Sequence, residues 1–265
     1  STLHACAHRF DVIHYHGVGP SLLAFLPRIL SRQSKVVVTF HSLDRFHQKW
    51  GPIAKFFLRL GEWAACNFAH ETITVSEDLK KYCRVKFAKE TAYIPNAVSI
   101  KEKISQTTTL NNFGLKSQQY ILLISRLVSH KNVHLLLSAF KLLKKQAARD
   151  EQIKNLKLVI VGDTVYTDDY VKKLKKLAGH RSDIIFTGFQ SGEILAALYS
   201  SAIALVHPSL SEGMPLTVLE AMSYGLPVLL SSIPAHQELG VDAQMFFDAK
   251  SVESLTKKLK ELLTL

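Results

Sequence analysis

Two glutamates, Glu212 and Glu220, stand eight positions apart in HPSLSEGMPLTVLEAMSYGLPV, residues 207 to 228. A helix is expected to begin within residues 213–215, because proline suits a first helical turn, where its missing N–H is no loss. Gly225 followed by Pro227 stops it about ten residues later. On one regular helix the eight-residue step would separate the carboxylates by roughly 12 Å along the axis, with about 80° of rotation. That is too far for a paired acid and base, since glycosidase carboxylates stand about 5 to 9.5 Å apart. The spacing suits an elongated ligand with Glu212 near one end and Glu220 near the other, the amides of Gly213 and Met214 facing an anion between them. A surface helix with two solvated acids has the same spacing.

Other residues bear on that choice. Arg126 and Lys131 lie in SRLVSHKN, after an apolar run. A diphosphate needs cations that do not titrate away at neutral pH, and Arg offers a planar fork while Lys offers a mobile point charge. Each charge-assisted bond is worth roughly 1.5 to 3 kcal/mol; ordinary solvated loop charge is the alternative. Gly162 and Gly188 end the runs LVIVG and IIFTG, where a missing side chain lets a ligand approach the backbone. Earlier in the chain, DVIHYHG brings His16 and Gly17, and VVVTFHSLD brings His41, to the ends of two expected strands. Each histidine can equally be a hydrogen-bonded structural residue.

The elements that must position these residues alternate along the chain. Strands are expected at 10–17 (buried), 36–39, 71–75, 91–98, 120–125, 156–163, 184–189 and 203–209. Helices are expected across 21–31, 49–69, from a Ser76 cap with Glu77 and Asp78 in the first turn, and over 133–146, 169–178, 192–200 and 251–263. Such alternation predicts an α/β protein with parallel sheets covered on both faces. Residues 99–119 are polar and read as a linker. It separates an N-terminal domain, residues 1–105, from a C-terminal domain, residues 106–265, giving two Rossmann-like lobes with a cleft between them.

The 265 residues carry 47% apolar side chains, ample for one or two cores. No run is long and apolar enough for a membrane span, and the first residues lack a signal-peptide pattern, so a cytoplasmic location is expected. Cys6, Cys66 and Cys83 have neither metal-ligand nor CxxC spacing. Residues 1–105 hold 15 Lys and Arg against 8 Asp and Glu, and residues 106–265 hold 18 against 14. The basic first part fits an anionic partner; no nucleic-acid motif accompanies it. In residues 49–69, Trp50, Phe56, Phe57, Leu60 and Trp63 are interspersed with Lys49, Lys55 and Arg59. Such a helix can lie on an anionic membrane surface, as a peripheral protein would, or pack a core.

Taken in order, SRLVSHKN, LVIVGD, IIFTGF and the glutamate block resemble the donor-binding lobe of GT-B glycosyltransferases of retaining family 4. DVIHYHG, VVVTFHSLD, VSEDLKKY and YIPNAV resemble that family's acceptor-side lobe, particularly in bacterial envelope-polysaccharide and rhamnosyl- or mannosyl-type enzymes. The resemblance implies a metal-independent transferase that moves a sugar from a nucleotide-diphosphate donor to a glycan or lipid-linked acceptor. Arg126 and Lys131 would bind the donor diphosphate, with Gly162 and Gly188 beside the donor. Glu212 would contact the sugar, the backbone of Gly213, Met214, Pro215 and Leu216 would lie near sugar and phosphate, and Glu220 would hold the ribose. His41 would work with Glu212 at the reaction centre, and His16 and Gly17 would face the acceptor side. No cofactor or metal is expected, in keeping with the lack of a DxD motif.

The sequence departs from the family pattern in several places. Its first clear strand resembles a later strand of that lobe, so the first lobe reads as incomplete, and the C-terminal crossing helix is not expected after Leu265. Ser125, Asn132 and Ala97 stand where glycines are common. The alternative function is therefore a nucleotide-sugar-binding subunit that needs a partner chain to complete the first lobe.

Overall fold

The computed structural model describes residues 1–8, 10–46, 50–104, 107–163 and 168–264. Lys49 and the expected domain boundary at residues 105 and 106 lie outside the described residues. The chain forms two compact units: Ser1–Asn96 together with Glu212–Met214, and Ala97–Ser211 together with the chain from Pro215 onward.

In the first unit, β1 (Val12–His16), β2 (Lys35–Phe40), β3 (Glu71–Thr74) and β4 (Ala92–Tyr93) form a parallel sheet in the order β1-β2-β3-β4. Val36, Val38 and Phe40 are fully buried. β1 was expected to be buried, but it hides only Ile13 and Tyr15, and leaves Val12, His14 and His16 on an open face. The helix expected across 21–31 is instead two short ones, Val18–Ser21 and Phe25–Leu30. Starting at Phe25 places Pro27 in a first turn, where no donor is needed; a continuous helix would have asked Pro27 for an N–H it lacks. Pro52 likewise opens the helix Pro52–Asn67 at its first position. Ser76 caps Glu77–Phe87 by accepting from the Leu79 amide, as its sequence position implies.

The second unit contains β5 (Tyr120–Ile124), β6 (Lys157–Val161), β7 (Ile184–Gly188), β8 (Ala204–His207), β9 (Val228–Ser231) and β10 (Phe246–Phe247), all parallel, in the order β10-β9-β8-β5-β6-β7. Every side chain of β5 is buried, because alternate residues feed two cores. Ile121 and Leu123 pack with the helices Val133–Gln146 and Val252–Leu263. Tyr120, Leu122 and Ile124 pack with Gly192–Ser201 and Leu216–Ser223. A strand buried on both faces reads as a continuous apolar run, which is what YILLI shows.

Residues 99–119 are not a free linker. They contain a helix, Thr107–Asn111, and the scattered Leu110 and Leu115 are buried in the second core. Short helices at Thr2–Ala7, Glu151–Asn155 and Pro234–Gln237 carried too few periodic positions to stand out.

Candidate active site

The second sheet is wound in both directions from its centre: β6 and β7 lie on one side of β5, while β8, β9 and β10 lie on the other. β5 and β8 are neighbours with Ile121 opposite Ala204. The loops that follow these two strands therefore diverge at a topological switch point, where ligands of open α/β sheets bind. Those loops are SRLVSHKN and HPSLSEGMP.

Backbone pairing continues beyond the strand ends. Ser125 N donates to Val161 O at 3.1 Å, Leu127 N to Asp163 O at 3.1 Å, and Gly162 N to Gly188 O at 2.9 Å. Gly162 has φ +135°, and a Cβ there would stand 1.8 Å from the Ser125 carbonyl oxygen. Glycine is thus needed both for its backbone angle and for the close approach of the neighbouring strand end. A cavity of about 570 Å³ opens at this edge, with Arg126, Gly162, Asp163, Phe189, Gln190, Thr217 and Glu220 in its wall. The structure therefore brings together Arg126, Gly162 and Glu220 from the expected set. Lys131 and Gly188 are not in that wall; Gly188 has φ +72° and leads directly into Phe189, which is.

Glu220 is held from below. The buried Tyr199 hydroxyl donates to Glu220 Oε2 at 2.9 Å, and the Tyr199 ring stacks on Tyr224 at 5.2 Å and 15°. Burial, followed by the nearby Glu220 charge, pushes the Tyr199 phenol far above its ordinary range, so it remains a donor at any working pH.

The two switch-point loops are tied together. The His130 carbonyl accepts from Leu210 N at 2.8 Å and Ser209 Oγ at 3.4 Å, and Ser231 Oγ donates to Ser209 O at 2.5 Å. Lys131 ends the 3₁₀ turn Ser129–Lys131 on the same loop. Asn132 follows at φ 57°, a left-handed conformation that glycine favours and asparagine tolerates. Its Nδ2 donates to Ala249 O at 2.8 Å, so the substitution leaves the turn intact.

The glutamate block differs from expectation at its helix start. The helix is Leu216–Ser223, and Pro215 is its extended N-cap with ψ 110°. Gly213 and Met214 consequently lie in the approach loop, and the first helical amides are those of Leu216 and Thr217. Contacts within the first unit explain this. A Cβ on Gly213 would fall 1.7 Å from the His41 carbonyl oxygen, and Asn96 Nδ2 donates to Met214 O at 3.0 Å. These hold 212–214 out of the helix, leaving Glu212 and Glu220 on separate elements. Gly213 is glycine because another backbone passes against it.

His16 and His41 meet as their strand positions imply. His16 is opposite Thr39 in the β1–β2 register, and His16 Nδ1 lies 3.1 Å from His41 Nε2 with the rings stacked at 5.4 Å. His14 packs on His16 at 4.1 Å and bonds Thr39 Oγ1 through Nε2 at 2.8 Å. Burial, with His16 as the next cause, lowers the pKa of His41. Gly17 turns the chain at φ 88° and donates its amide to Thr39 O at 2.9 Å. Sequence reasoning missed Tyr199, Thr217, Phe189 and Asn96. Tyr199 sits in GEILAALYS at a core position of an apolar helix, so nothing in the pattern separates it from packing residues.

Residues 106–265 match the family model for glycosyl transferases group 1. The chain belongs to that family. Residues 2–102 of this group 1 member match a second model, glycosyltransferase family 4. It is 30% identical over 154 residues to the O-antigen chain mannosyltransferase B of Escherichia coli, covering 58% of this chain and 39% of that protein. It is 25% identical over 234 residues to the O-antigen chain mannosyltransferase RfbU of Salmonella typhimurium, covering 85% and 61%. The chain thus spans less than two thirds of these curated relatives. The crystal structure of Anabaena HepE in complex with UDP and glucose superposes with a TM-score of 0.80 at 20% identity, over 98% of this chain and 70% of that one. The fold is the pair of parallel α/β units that defines GT-B proteins.

Proposed function

We propose that this chain is a retaining glycosyltransferase that takes a sugar from a nucleotide-diphosphate donor and passes it to a glycan or lipid-linked acceptor. The observation that carries this reading is the switch-point cavity of about 570 Å³, in whose wall stand a fixed cation, Arg126, a glycine-cleared strand end, Gly162, and a carboxylate, Glu220. Ribose offers adjacent hydroxyls that one carboxylate can accept together, and Glu220 is braced for that task by Tyr199. Arg126 and Lys131 neutralise the diphosphate as it departs, which is the stabilisation a glycosyl transfer needs most and which fixed cations supply without a metal. The exposed ring of Phe189 offers a flat apolar face at the cavity rim, suited to a nucleobase.

Glu212 is assigned to the donor sugar, and His41 to the sugar and phosphate at the reaction centre. The bond from the anomeric carbon to the phosphate oxygen breaks, the bond to the acceptor oxygen forms on the same face, and the acceptor proton passes to the departing phosphate.

The test begins with thermal shift against UDP-, GDP-, ADP- and dTDP-sugars, since a ligand bound only by the native state raises its stability. The matching donor is then used with Glu220→Gln. Loss of donor affinity supports the assignment; a Glu220→Gln protein that binds and turns over donor as well as wild type removes it. Donor binding without transfer or hydrolysis until a partner chain is added would make the protein a nucleotide-sugar-binding subunit.

A further inference from the structure

The helix Pro52–Asn67 is built with its large apolar residues on the outside. It buries Gly61, Ala64, Ala65 and Cys66, and a Cβ on Gly61 would stand 2.0 Å from the Val18 carbonyl oxygen, so the inner face is packed at backbone distance. The outer face presents Ile53, Phe56, Phe57 and Trp63, at 76%, 59%, 50% and 46% exposure. Phe56 and Phe57 are three and four residues from Ile53, and Trp63 is seven from Phe56, so the four share one side of the helix. Between this helix and a second, Glu77–Phe87, is a cavity of about 380 Å³ walled by Phe56, Arg59, Leu60, Trp63, Lys86 and Phe87.

The cations placed beside these apolar side chains are Arg59 and Lys86, which wall the cavity with Phe56 and Trp63. Lys55 and Arg59 are exposed on the first helix. Its only acid, Glu62, is fully buried and accepts from Arg45 Nε at 2.8 Å and Tyr82 Oη at 2.7 Å. Lys86 supplies a further cation from the second helix. A protein interface with so apolar a centre would be depleted of lysine, whereas lysine and arginine beside Trp, Phe and Ile make up the composition of a helix that lies in a membrane interface. No helix among the described residues is long and apolar enough to cross a membrane.

We propose that this face docks the chain on an anionic lipid bilayer. Ile53, Phe56, Phe57 and Trp63 enter the boundary between headgroups and acyl chains, and a lipid phosphate occupies the cavity walled by Arg59 and Lys86. The inference is independent of the donor site, and its test uses no donor, so its failure leaves the proposed transferase reading untouched.

The experiment is flotation of the full chain with vesicles of phosphatidylcholine containing phosphatidylglycerol, against vesicles of phosphatidylcholine alone. Binding to the anionic vesicles is expected to be at least about tenfold stronger and to fall with added salt. The pair Arg59→Glu and Lys86→Glu is expected to lower it about tenfold or more, and Phe56→Ser with Phe57→Ser to abolish it. These side chains are exposed or line an open cavity, so circular dichroism and the unfolding temperature should stay close to wild type. Where a variant fails to fold, the wild-type protein still decides: phosphatidylglycerol brominated on its acyl chains should quench tryptophan fluorescence. Equal flotation on neutral vesicles overturns the proposal. So does release by inorganic phosphate at constant ionic strength, which would make the cavity a site for soluble anions. A dimer lost in Phe56→Ser with Phe57→Ser, without flotation of the wild type, would assign the face to a second copy.

Discussion

Tyr199 and Glu220 are joined by a hydrogen bond of 2.9 Å in which the tyrosine hydroxyl donates to Oε2. Tyr199 is buried while Glu220 is half-buried in the cavity wall. The bond therefore holds a cavity-wall carboxylate from the core side.

Tyr199→Phe keeps the buried ring and its stack on Tyr224, and removes only the donor. A hydrogen bond of this kind contributes about 1 kcal/mol, somewhat more toward a charged acceptor. Donor affinity measured by calorimetry is expected to weaken roughly fivefold to tenfold, with the unfolding temperature lowered by only a few degrees. Donor affinity equal to wild type would show that Glu220 is oriented without Tyr199.

Gly162→Ala should be among the most damaging single-methyl changes in the second unit. The new Cβ would stand 1.8 Å from the Ser125 carbonyl oxygen, and φ +135° is strained for any residue with a side chain. The ends of β5 and β6 would have to part, at a cost of about 3 kcal/mol or more. Urea unfolding should show this loss together with weakened donor binding. Gly51→Ala is the milder comparison: a Cβ there meets nothing within 4 Å, and only the N-cap preference of the helix Pro52–Asn67 is at stake, about 1 kcal/mol or less.

Both sheets and most long elements were legible because their residues obey one period. YILLI is apolar throughout since both faces of β5 are covered, and VHLLLSAFKLLKKQ became the helix Val133–Gln146. What escaped depended on contacts between residues distant in sequence. Helix start 216 rather than within 213–215 follows from the His41 carbonyl against Gly213 and the Asn96 bond to Met214, each crossing more than a hundred residues. Leu110 and Leu115 were hidden in a polar stretch because two leucines make no period. Arg126 and Glu220 were readable as types at strand and helix ends, whereas Tyr199 looked like any apolar helix residue.

The histidine group of the first unit predicts a pH response. Burial lowers the pKa of His41 and of His14, with His16 the next cause for each. The unfolded chain, in which each titrates near 6.5, then binds more protons than the folded one just below that value. Stability from these residues is present above about pH 6.5 and is lost as pH falls below it. Chemical denaturation between about pH 7 and pH 5 should show declining stability, with a shallower decline in His14→Asn with His41→Asn. The slope should not vanish, because His70 and His134 are lowered as well, chiefly by burial.

Arg45 and Tyr82, both half-buried, close over the buried Glu62: Arg45 donates through Nε to both oxygens of Glu62, at 2.8 and 3.0 Å, and through Nη2 to Tyr82 Oη at 2.8 Å, while Tyr82 donates to Glu62 Oε2 at 2.7 Å. Burial raises the Glu62 pKa despite these partners, and Tyr82 is pushed up to about 12, chiefly by burial. Arg45→Met would strand a carboxylate that is fully buried, and breaking such a pair from one side costs about 3 to 5 kcal/mol. Arg45→Met with Glu62→Leu should recover much of that loss, because neither charge is then left to desolvate. The sign with pH is set by the raised carboxyl: the folded state holds the Glu62 proton to higher pH than the unfolded chain does, so the penalty in Arg45→Met grows as pH rises above the ordinary carboxylate range and eases as pH falls. Urea unfolding at neutral and at mildly acidic pH checks both statements. A loss in Arg45→Met that is small and independent of pH would show that Tyr82 alone satisfies the buried carboxylate.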